Sequence, residues 1–255
     1  MDTFSSSGVD IAYIDHLPEG PDRFEPILLI HGFASSHRIN WVGPGWTATL
    51  TRAGRRVIAL DNRGHGESEK LYRPEDYATP IMAEDARALM DHLGLARIDV
   101  MGYSMGARIS AFLALRHPER VRSVVLGGLG HHLVDGVGLP LGIADAMEAE
   151  SLAELTDPMQ RMFRAFAEQT KSDRGALAAC IRGSRQTLGE AEVACIRCPA
   201  LVAIGTKDDV AGDAHRLAAM FPAARALDIP NRDHNLAVGD KVYKQGVLEF
   251  LEQRP

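Results

Sequence analysis

The sequence contains no apolar run that approaches the roughly 20 residues needed to span a lipid bilayer. Its first residues also lack the basic start and apolar stretch of a secretory signal peptide. These absences predict a cytoplasmic protein that does not insert into a membrane. Positive charge is not in excess either, because the formal net charge is -6. The chain therefore lacks the attraction that drives binding to nucleic acid, and we expect no such partner.

Cysteine is scarce, with three residues in the chain, which agrees with a reducing compartment. Cys195 and Cys198 have C-x-x-C spacing, so a zinc or redox site has to be considered. A zinc site needs two further ligands, and no second C-x-x-C or paired-histidine motif follows. Cys198 also precedes Pro199 and an apolar segment, whereas a thioredoxin-like motif precedes a helix. The sequence predicts buried or half-buried free thiols, with no metal and no organic cofactor.

The chain does contain a regular alternation of strand-like and helix-like patterns. Its 255 residues, 45% of them hydrophobic, suffice for one large α/β domain with an insertion. Short apolar runs predict buried strands, and helical spacing between them predicts helices. The strands are expected at 9–14, 26–30, 57–60, 98–101, 121–126, 200–204 and 225–229, with a further strand near Phe4. The helices are expected at 80–93, 107–116, 214–220 and 241–253, the first capped by Thr79 and closed by Gly94.

This order predicts an α/β fold with a mostly parallel central sheet flanked by helices. The alternation stops between residues 131 and 190, where helical patterns occur at 147–155 and 158–169. That stretch is too long for a plain connection between neighbouring strands. We expect it to be a helical cap inserted into a core formed by residues 1–130 and 191–255. The alternative is a set of ordinary peripheral helices.

The residues Gly102-Tyr103-Ser104-Met105-Gly106 fit the pattern G-x-S-x-G between a predicted strand and a predicted helix. A serine on such a sharp turn needs glycine two positions away on either side, because a Cβ there would collide with the backbone. The following N–H groups lie at a helix N-terminus, which stabilises negative charge. The pattern therefore predicts that Ser104 is a nucleophile, although a glycine-flanked serine can also simply begin a helix.

A serine nucleophile needs a base, which on a strand-turn-helix scaffold is a histidine that follows the acid in the chain. Among the ten histidines, His131 and His132 follow a strand directly with no acid before them. His215 lies inside a helical stretch. His234 instead follows the last predicted strand after a short polar loop, so we expect His234 to be the base.

The acid is expected in a loop at the end of a strand between Ser104 and His234. The strand at 121–126 is followed by glycine and leucine only. The strand at 200–204 is followed by Gly205, which permits a sharp turn, and then by Asp208 and Asp209. We prefer Asp208 as the acid and expect the other carboxylate to be solvated.

Five motifs in this order resemble the α/β-hydrolase superfamily, in its serine-nucleophile, esterase- and lipase-like branch, over nearly the whole chain. They are His31-Gly32-Phe33, Asp61-Asn62-Arg63-Gly64-His65-Gly66-Glu67-Ser68, Gly102 to Gly106, Gly205-x-x-Asp208 and Asp233-His234. The resemblance implies an oxyanion hole formed by the main-chain N–H groups of Phe33 and Met105. It also implies architectural roles for His31 and for the turn that contains His65.

The predicted activity is hydrolysis of a carboxylic ester, or a related lactone or thioester, through an acyl-enzyme on Ser104. Family members that act at sp³ carbon have an aspartate at that position. C–C hydrolases of the family commonly have asparagine before the nucleophile and tryptophan after the histidine, where this chain has Tyr103 and Asn235. A C–C or enol-lactone hydrolase of aromatic catabolism is one alternative, and a triad-bearing small-molecule receptor or signalling protein is the other.

The expected partner is a small-molecule acyl substrate in a largely apolar pocket for small to medium acyl groups. The sequence does not specify an oligomeric state. Besides Phe33 and Met105, the candidate pocket walls are Trp41, Tyr103, Met147, Phe163 and Phe166.

Overall fold

The computed structural model describes residues 1–21, 24–136 and 140–253. Within these residues, eight strands form one sheet in the order β1-β2-β4-β3-β5-β6-β7-β8. The strands are β1 (Asp2–Ser6), β2 (Val9–His16), β3 (Phe24–Ile30), β4 (Arg55–Leu60), β5 (Ile98–Tyr103), β6 (Val121–Gly127), β7 (Ala200–Gly205) and β8 (Ala224–Ile229). β1 and β2 are antiparallel to their neighbours, and all other pairs are parallel. This confirms the predicted mostly parallel sheet.

Helices cover both faces of the sheet, as predicted. They are α1 (Trp46–Arg52), α2 (Thr79–His92), α3 (Met105–Arg116), α4 (His132–Asp135), α5 (Gly142–Glu148), α6 (Pro158–Gln169), α7 (Arg174–Gly183), α8 (Glu190–Val193), α9 (Ala214–Ala218) and α10 (Lys241–Gln253). In β3, Leu28 and Ile30 join the core under α2 and α3, while Ile27 and Leu29 join the core under α1 and α10. Alternate residues of a strand point to opposite faces, which is why one apolar run serves both cores. No described helix is long and apolar enough to cross a membrane.

The start of α2 differs from the sequence prediction. Thr79 is the first residue of the helix rather than its cap, and its hydroxyl is buried without a described hydrogen-bond partner. The main-chain N–H of Thr79 instead donates to the side-chain oxygen of Gln186, at 2.7 Å. A distant residue thus satisfies the helix terminus. The end agrees with the prediction, because Gly94 follows the helix in the left-handed region with φ 66°.

The segment between β6 and β7 carries α4 to α8, and we refer to α5, α6 and α7 as the helical insert. The helix expected at 147–155 is wrong, because α5 ends at Glu148 and a short 3₁₀ turn covers Leu152–Glu154. The guanidinium of Arg164 on α6 donates to the oxygens of Ala146 and Ala149, each at 2.8 Å, and so ends α5 there. α6 begins at Pro158, as predicted. The side chain of Asp157 caps it by accepting from the main-chain N–H of Gln160. The division into a core and a cap domain at residues 130 and 191 stays a prediction.

Candidate active site

Ser104 lies on a strained turn between β5 and α3. Its φ of 54° and ψ of -115° are rarely adopted by residues other than glycine. A Cβ on Gly102 would lie 2.1 Å from the carbonyl oxygen of Gly106, and a Cβ on Gly106 would lie 1.9 Å from the carbonyl oxygen of Ile30. The two flanking glycines are therefore required by close backbone contacts, which is the reason the sequence pattern suggested.

The structure brings Ser104, Asp208 and His234 together at the carboxyl ends of β5, β7 and β8. The Nε2 atom of His234 is 3.0 Å from the Oγ of Ser104, and its Nδ1 is 2.7 Å from Oδ2 of Asp208. A carboxylate can only accept, so Nδ1 carries the proton and donates to Asp208. The Nε2 lone pair then faces the serine hydroxyl, which is the arrangement that a general base requires.

Two main-chain N–H groups fix the carboxylate of Asp208 within its loop. Oδ1 accepts hydrogen bonds from the N–H groups of Val210 at 2.9 Å and Ala211 at 3.0 Å. The side chain of Asp208 is fully buried, whereas the neighbouring Asp209 is exposed. With Oδ1 occupied, the Asp208 carboxylate presents only Oδ2 to the imidazole of His234.

Tyr103 holds the loop that carries His234. Its hydroxyl donates to the main-chain oxygen of His234 at 2.6 Å, and the two rings lie 5.4 Å apart. Gly128 packs so tightly against the Tyr103 ring that a Cβ there would approach it to 2.7 Å. The sequence suggested Tyr103 only as a pocket wall, because its bond to a residue 131 positions away has no local sequence signal.

The loop after β3 and the start of α3 carry the two expected oxyanion donors. Met105 is the first residue of α3, and Phe33 follows the end of β3. Within the described part of the chain, neither main-chain N–H donates to another residue. The side-chain oxygen of Asn40 accepts from the N–H of Gly32 at 2.9 Å and fixes the Phe33 loop from behind.

The Asp61–Ser68 turn supports this loop without touching Ser104. The carboxylate of Asp61 accepts from the main-chain N–H groups of His37 at 2.7 Å and Glu67 at 2.9 Å. Burial alone raises the pKa of Asp61. The hydrogen bonds from His37 and the electrostatic effect of the nearby His31 outweigh burial and lower this pKa to about 2. His31 donates to the oxygen of its neighbour Gly32 at 2.8 Å, and its Nε2 also accepts from the main-chain N–H of Asn62 in this turn at 2.9 Å. The turn is therefore a buried polar brace.

His65 in this turn is a buried, neutral side chain. Its Nδ1–H donates to the oxygen of Arg63 at 2.9 Å, while Nε2 has no hydrogen-bond partner among the described residues. Burial, together with the charge of His31, lowers the pKa of His65 to about 3. The geometry gives His65 no contact with Ser104 through which it could act in catalysis.

The depressed pKa of His65 sets an acid limit on stability. At pH values below the ordinary histidine pKa of 6.5, the unfolded chain binds a proton at His65 that the folded chain does not bind. The free energy of unfolding therefore falls as the pH decreases from about 6.5 to about 3. The variant His65→Asn keeps a donor for Arg63 and removes the titration. Between pH 7.5 and 5.5, we expect wild type to lose about 1.4 kcal/mol more unfolding free energy than this variant in urea titrations. Equal losses in both proteins would contradict the assignment.

A large cavity of about 540 Å³ opens beside the serine. Ser104 and His234 form part of its wall, and Phe163 and Phe166 of α6 lie across from them. The rings of Phe33 and Phe163 are 5.9 Å apart, so the loop after β3 meets the helical insert at the cavity wall. The lining of the cavity is mainly apolar, and α6 of the helical insert contributes to it.

Two of the expected pocket walls lie elsewhere. Trp41 is fully buried and packs edge-on against Trp46, with ring centroids 6.4 Å apart, in the core under α1. Met147 is buried in the opposite core, on the inner face of α5. Neither lines a cavity beside Ser104, because both helical turns direct these side chains inward. The walls that sequence reasoning missed are Ile39, Pro44, Met162, Leu236 and Val238.

A second, small cavity of about 70 Å³ also opens at the serine. Ser104 and Phe33 line it as well as the large cavity, and Met105 and Arg108 line only the small one. Sequence reasoning missed Arg108. The available signal was its spacing, because residues four apart lie on the same face of a helix.

The structure gives no support for a metal site. In residues 1–21, 24–136 and 140–253, no group of three or more histidine, cysteine or acidic side chains could hold an ion. Cys180, Cys195 and Cys198 are free thiols, as predicted, but Cys195 is exposed rather than buried. His131 and His132 bond to main-chain groups of the loop that follows β7.

Comparisons with known proteins agree with this architecture. Residues 25–135 match the family model described as the alpha/beta hydrolase fold. A hydrolase structure from Pseudomonas aeruginosa superposes with a TM-score of 0.78 and 26% identity, covering 98% of this chain and 97% of that one.

Two curated relatives come from Pseudomonas putida. The dihydrolipoyllysine-residue acetyltransferase component of the acetoin cleaving system is 30% identical over 251 residues, covering 92% of this chain and 65% of the relative. The 2-hydroxymuconate semialdehyde hydrolase is 41% identical over 105 residues, covering 40% of this chain and 36% of the relative. The matches thus span less than two thirds of the length of either relative.

Proposed function

We propose that this chain, which belongs to the α/β-hydrolase superfamily, is a serine hydrolase that cleaves a carboxylic ester, or a related lactone or thioester. The observation that carries the proposal is the continuous hydrogen-bonded line from Asp208 through His234 to Ser104. The positive φ of Ser104 adds support, since strain of this kind is concentrated at functional sites.

In the first step, the Oγ of Ser104 attacks the substrate carbonyl while Nε2 of His234 removes the hydroxyl proton. Asp208 stabilises the imidazolium that forms and holds the ring in the required tautomer. The N–H groups of Phe33 and Met105 stabilise the oxyanion, and each such donor accelerates the reaction by roughly 10²–10³. His234 then returns the proton to the leaving alcohol, and the acyl group remains on Ser104.

In the second step, water attacks the acyl-enzyme while His234 again acts as the base. The tetrahedral intermediate collapses, Ser104 regains its proton and the carboxylic acid leaves. The mainly apolar wall of the large cavity favours an ester with an apolar portion on that side.

Hydrolysis of a C–C bond is a second candidate. It is favoured by the 41% identity to a 2-hydroxymuconate semialdehyde hydrolase over 105 residues. Tyr103 and Asn235 stand against it, because they replace the asparagine and tryptophan that commonly flank the nucleophile and histidine in such enzymes. The triad would serve both reactions, so only substrates separate them.

The proposal predicts serine-dependent multiple turnover of 4-nitrophenyl esters. With acyl chains from acetate to octanoate, we expect sustained release of 4-nitrophenolate with the highest kcat/KM at short to medium lengths. A single stoichiometric burst that leaves an acylated, inactive protein would contradict an enzyme and favour a receptor. Cleavage of a vinylogous 1,5-diketone without any ester turnover would instead favour the C–C hydrolase.

A further inference from the structure

Arg108 is a buried cation in the small cavity beside the serine. It lies one helical turn after Ser104 on α3, and only 8% of it is exposed to solvent. Residues four apart on a helix lie on the same face, so its guanidinium and the Ser104 hydroxyl open into one space. Its position gives it access to a substrate bound at Ser104.

The described hydrogen bonds of Arg108 all go to main-chain oxygens. The guanidinium donates to Gln186 at 3.0 Å, to His132 at 3.1 Å and to Leu133 at 3.5 Å. Within the described part of the chain, no carboxylate forms an ion pair with Arg108. These bonds satisfy some of its donors but leave its charge without a counterion.

A second cation raises the local positive potential. Arg185 lines the same small cavity. Burial, and then the charge of Arg185, lowers the pKa of Arg108 to about 10, so Arg108 is still protonated at neutral pH. Desolvating a cation without an anion is unfavourable, whereas a guanidinium fork binds a carboxylate with two parallel hydrogen bonds. An anion that enters this cavity would meet a donor already in place.

We propose that the small cavity is a carboxylate subsite and that the substrate is an ester whose short acyl group ends in a carboxylate. This inference rests on the proposed serine hydrolase function. The scissile carbonyl lies at Ser104, which lines both cavities, the acyl carboxylate reaches Arg108, and the apolar alcohol portion occupies the large cavity. The small volume restricts the spacer to a few carbons.

Matched pairs of esters test the subsite on the wild-type protein. Ethyl hydrogen glutarate and ethyl 5-oxohexanoate have the same chain length and shape, but one ends in a carboxylate and the other in a neutral methyl ketone. Hydrogen bonds to a charged partner predict a kcat/KM about tenfold to hundredfold higher for the acid ester. The equivalent succinate and adipate pairs identify the preferred spacer. Equal kcat/KM within every pair would overturn the proposal.

Variants separate a carboxylate subsite from a merely structural clamp. In Arg108→Gln we expect the preference for the acid ester to fall to about one while the ketone ester is still hydrolysed. A clamp that only ties His132 and Gln186 together predicts equal losses for both esters. Arg116→Gln removes the same charge from an exposed position on the same helix and should leave the preference unchanged. Arg185→Gln, at an exposed position, should lower the preference severalfold even if Arg108→Gln fails to fold.

Calorimetry distinguishes failure of the subsite from failure of the hydrolase. On Ser104→Ala protein, which retains both cavities, we expect ethyl hydrogen glutarate to bind at least tenfold more tightly than ethyl 5-oxohexanoate. If wild type hydrolyses neither these two esters nor any of the 4-nitrophenyl esters, the proposed function fails, and this binding difference still decides the subsite. If both esters are hydrolysed equally and bind equally, the subsite fails while the hydrolase stands.

Discussion

The variant Ser104→Ala is expected to lower kcat for ester hydrolysis by about 10⁴–10⁶-fold. The loss is large because no other side chain replaces the oxygen that His234 contacts at 3.0 Å, so the acyl-enzyme cannot form. The residual rate would come from the oxyanion donors and from substrate binding. Steady-state kinetics with 4-nitrophenyl esters measure the effect.

The same substitution should leave the fold intact. The described hydrogen bond of the Ser104 hydroxyl goes only to His234, and alanine at this position introduces no larger side chain. The circular dichroism spectrum should match that of wild type, and the free energy of unfolding from thermal denaturation should agree within about 1 kcal/mol. A phosphonate that labels wild type should leave the variant unmodified. Full activity, or labelling, in a folded Ser104→Ala protein would refute Ser104 as the nucleophile.

The geometry around the serine was predictable because five adjacent residues carry the pattern for it. A Cβ on Gly102 would meet Gly106 in the same turn, and a Cβ on Gly106 would meet Ile30 at the end of β3, so close backbone contacts dictate glycine at both positions. The meeting of Ser104, Asp208 and His234 follows from a more general rule. Parallel strands bring their carboxyl ends to one edge of a sheet, so three loops after three such strands converge.

The parts that sequence reasoning missed depend on contacts between distant segments. The side chain of Gln186 takes the place expected for a Thr79 cap because the chain folds back over 107 positions. Trp41 follows the Phe33 loop and Met147 lies in the segment between β6 and β7, yet packing buries both side chains away from the cavities. Apolar character predicts burial, but it does not say which of several apolar surfaces a side chain joins.

Replacing Asp208 by asparagine is expected to lower kcat by about 10⁴-fold with little change in structure. The loop fixes the direction of the new amide, because Oδ1 already accepts from the N–H groups of Val210 and Ala211. The amide N–H₂ would then face Nδ1 of His234 and donate to it. Nδ1 would become the acceptor and Nε2 would carry the proton, so Nε2 could no longer accept from Ser104.

The adjacent aspartate provides a matched control for this argument. Asp209→Asn makes the same chemical change one residue away, on an exposed side chain, and should change kcat less than about twofold, since exposed substitutions away from such contacts have small effects. Both variants should show the same unfolding midpoint in urea. A large kcat loss in Asp209→Asn with near-normal turnover in Asp208→Asn would show that Asp209, and not Asp208, is the acid. Near-normal turnover in both would mean that the imidazole of His234 needs neither carboxylate to keep its working tautomer.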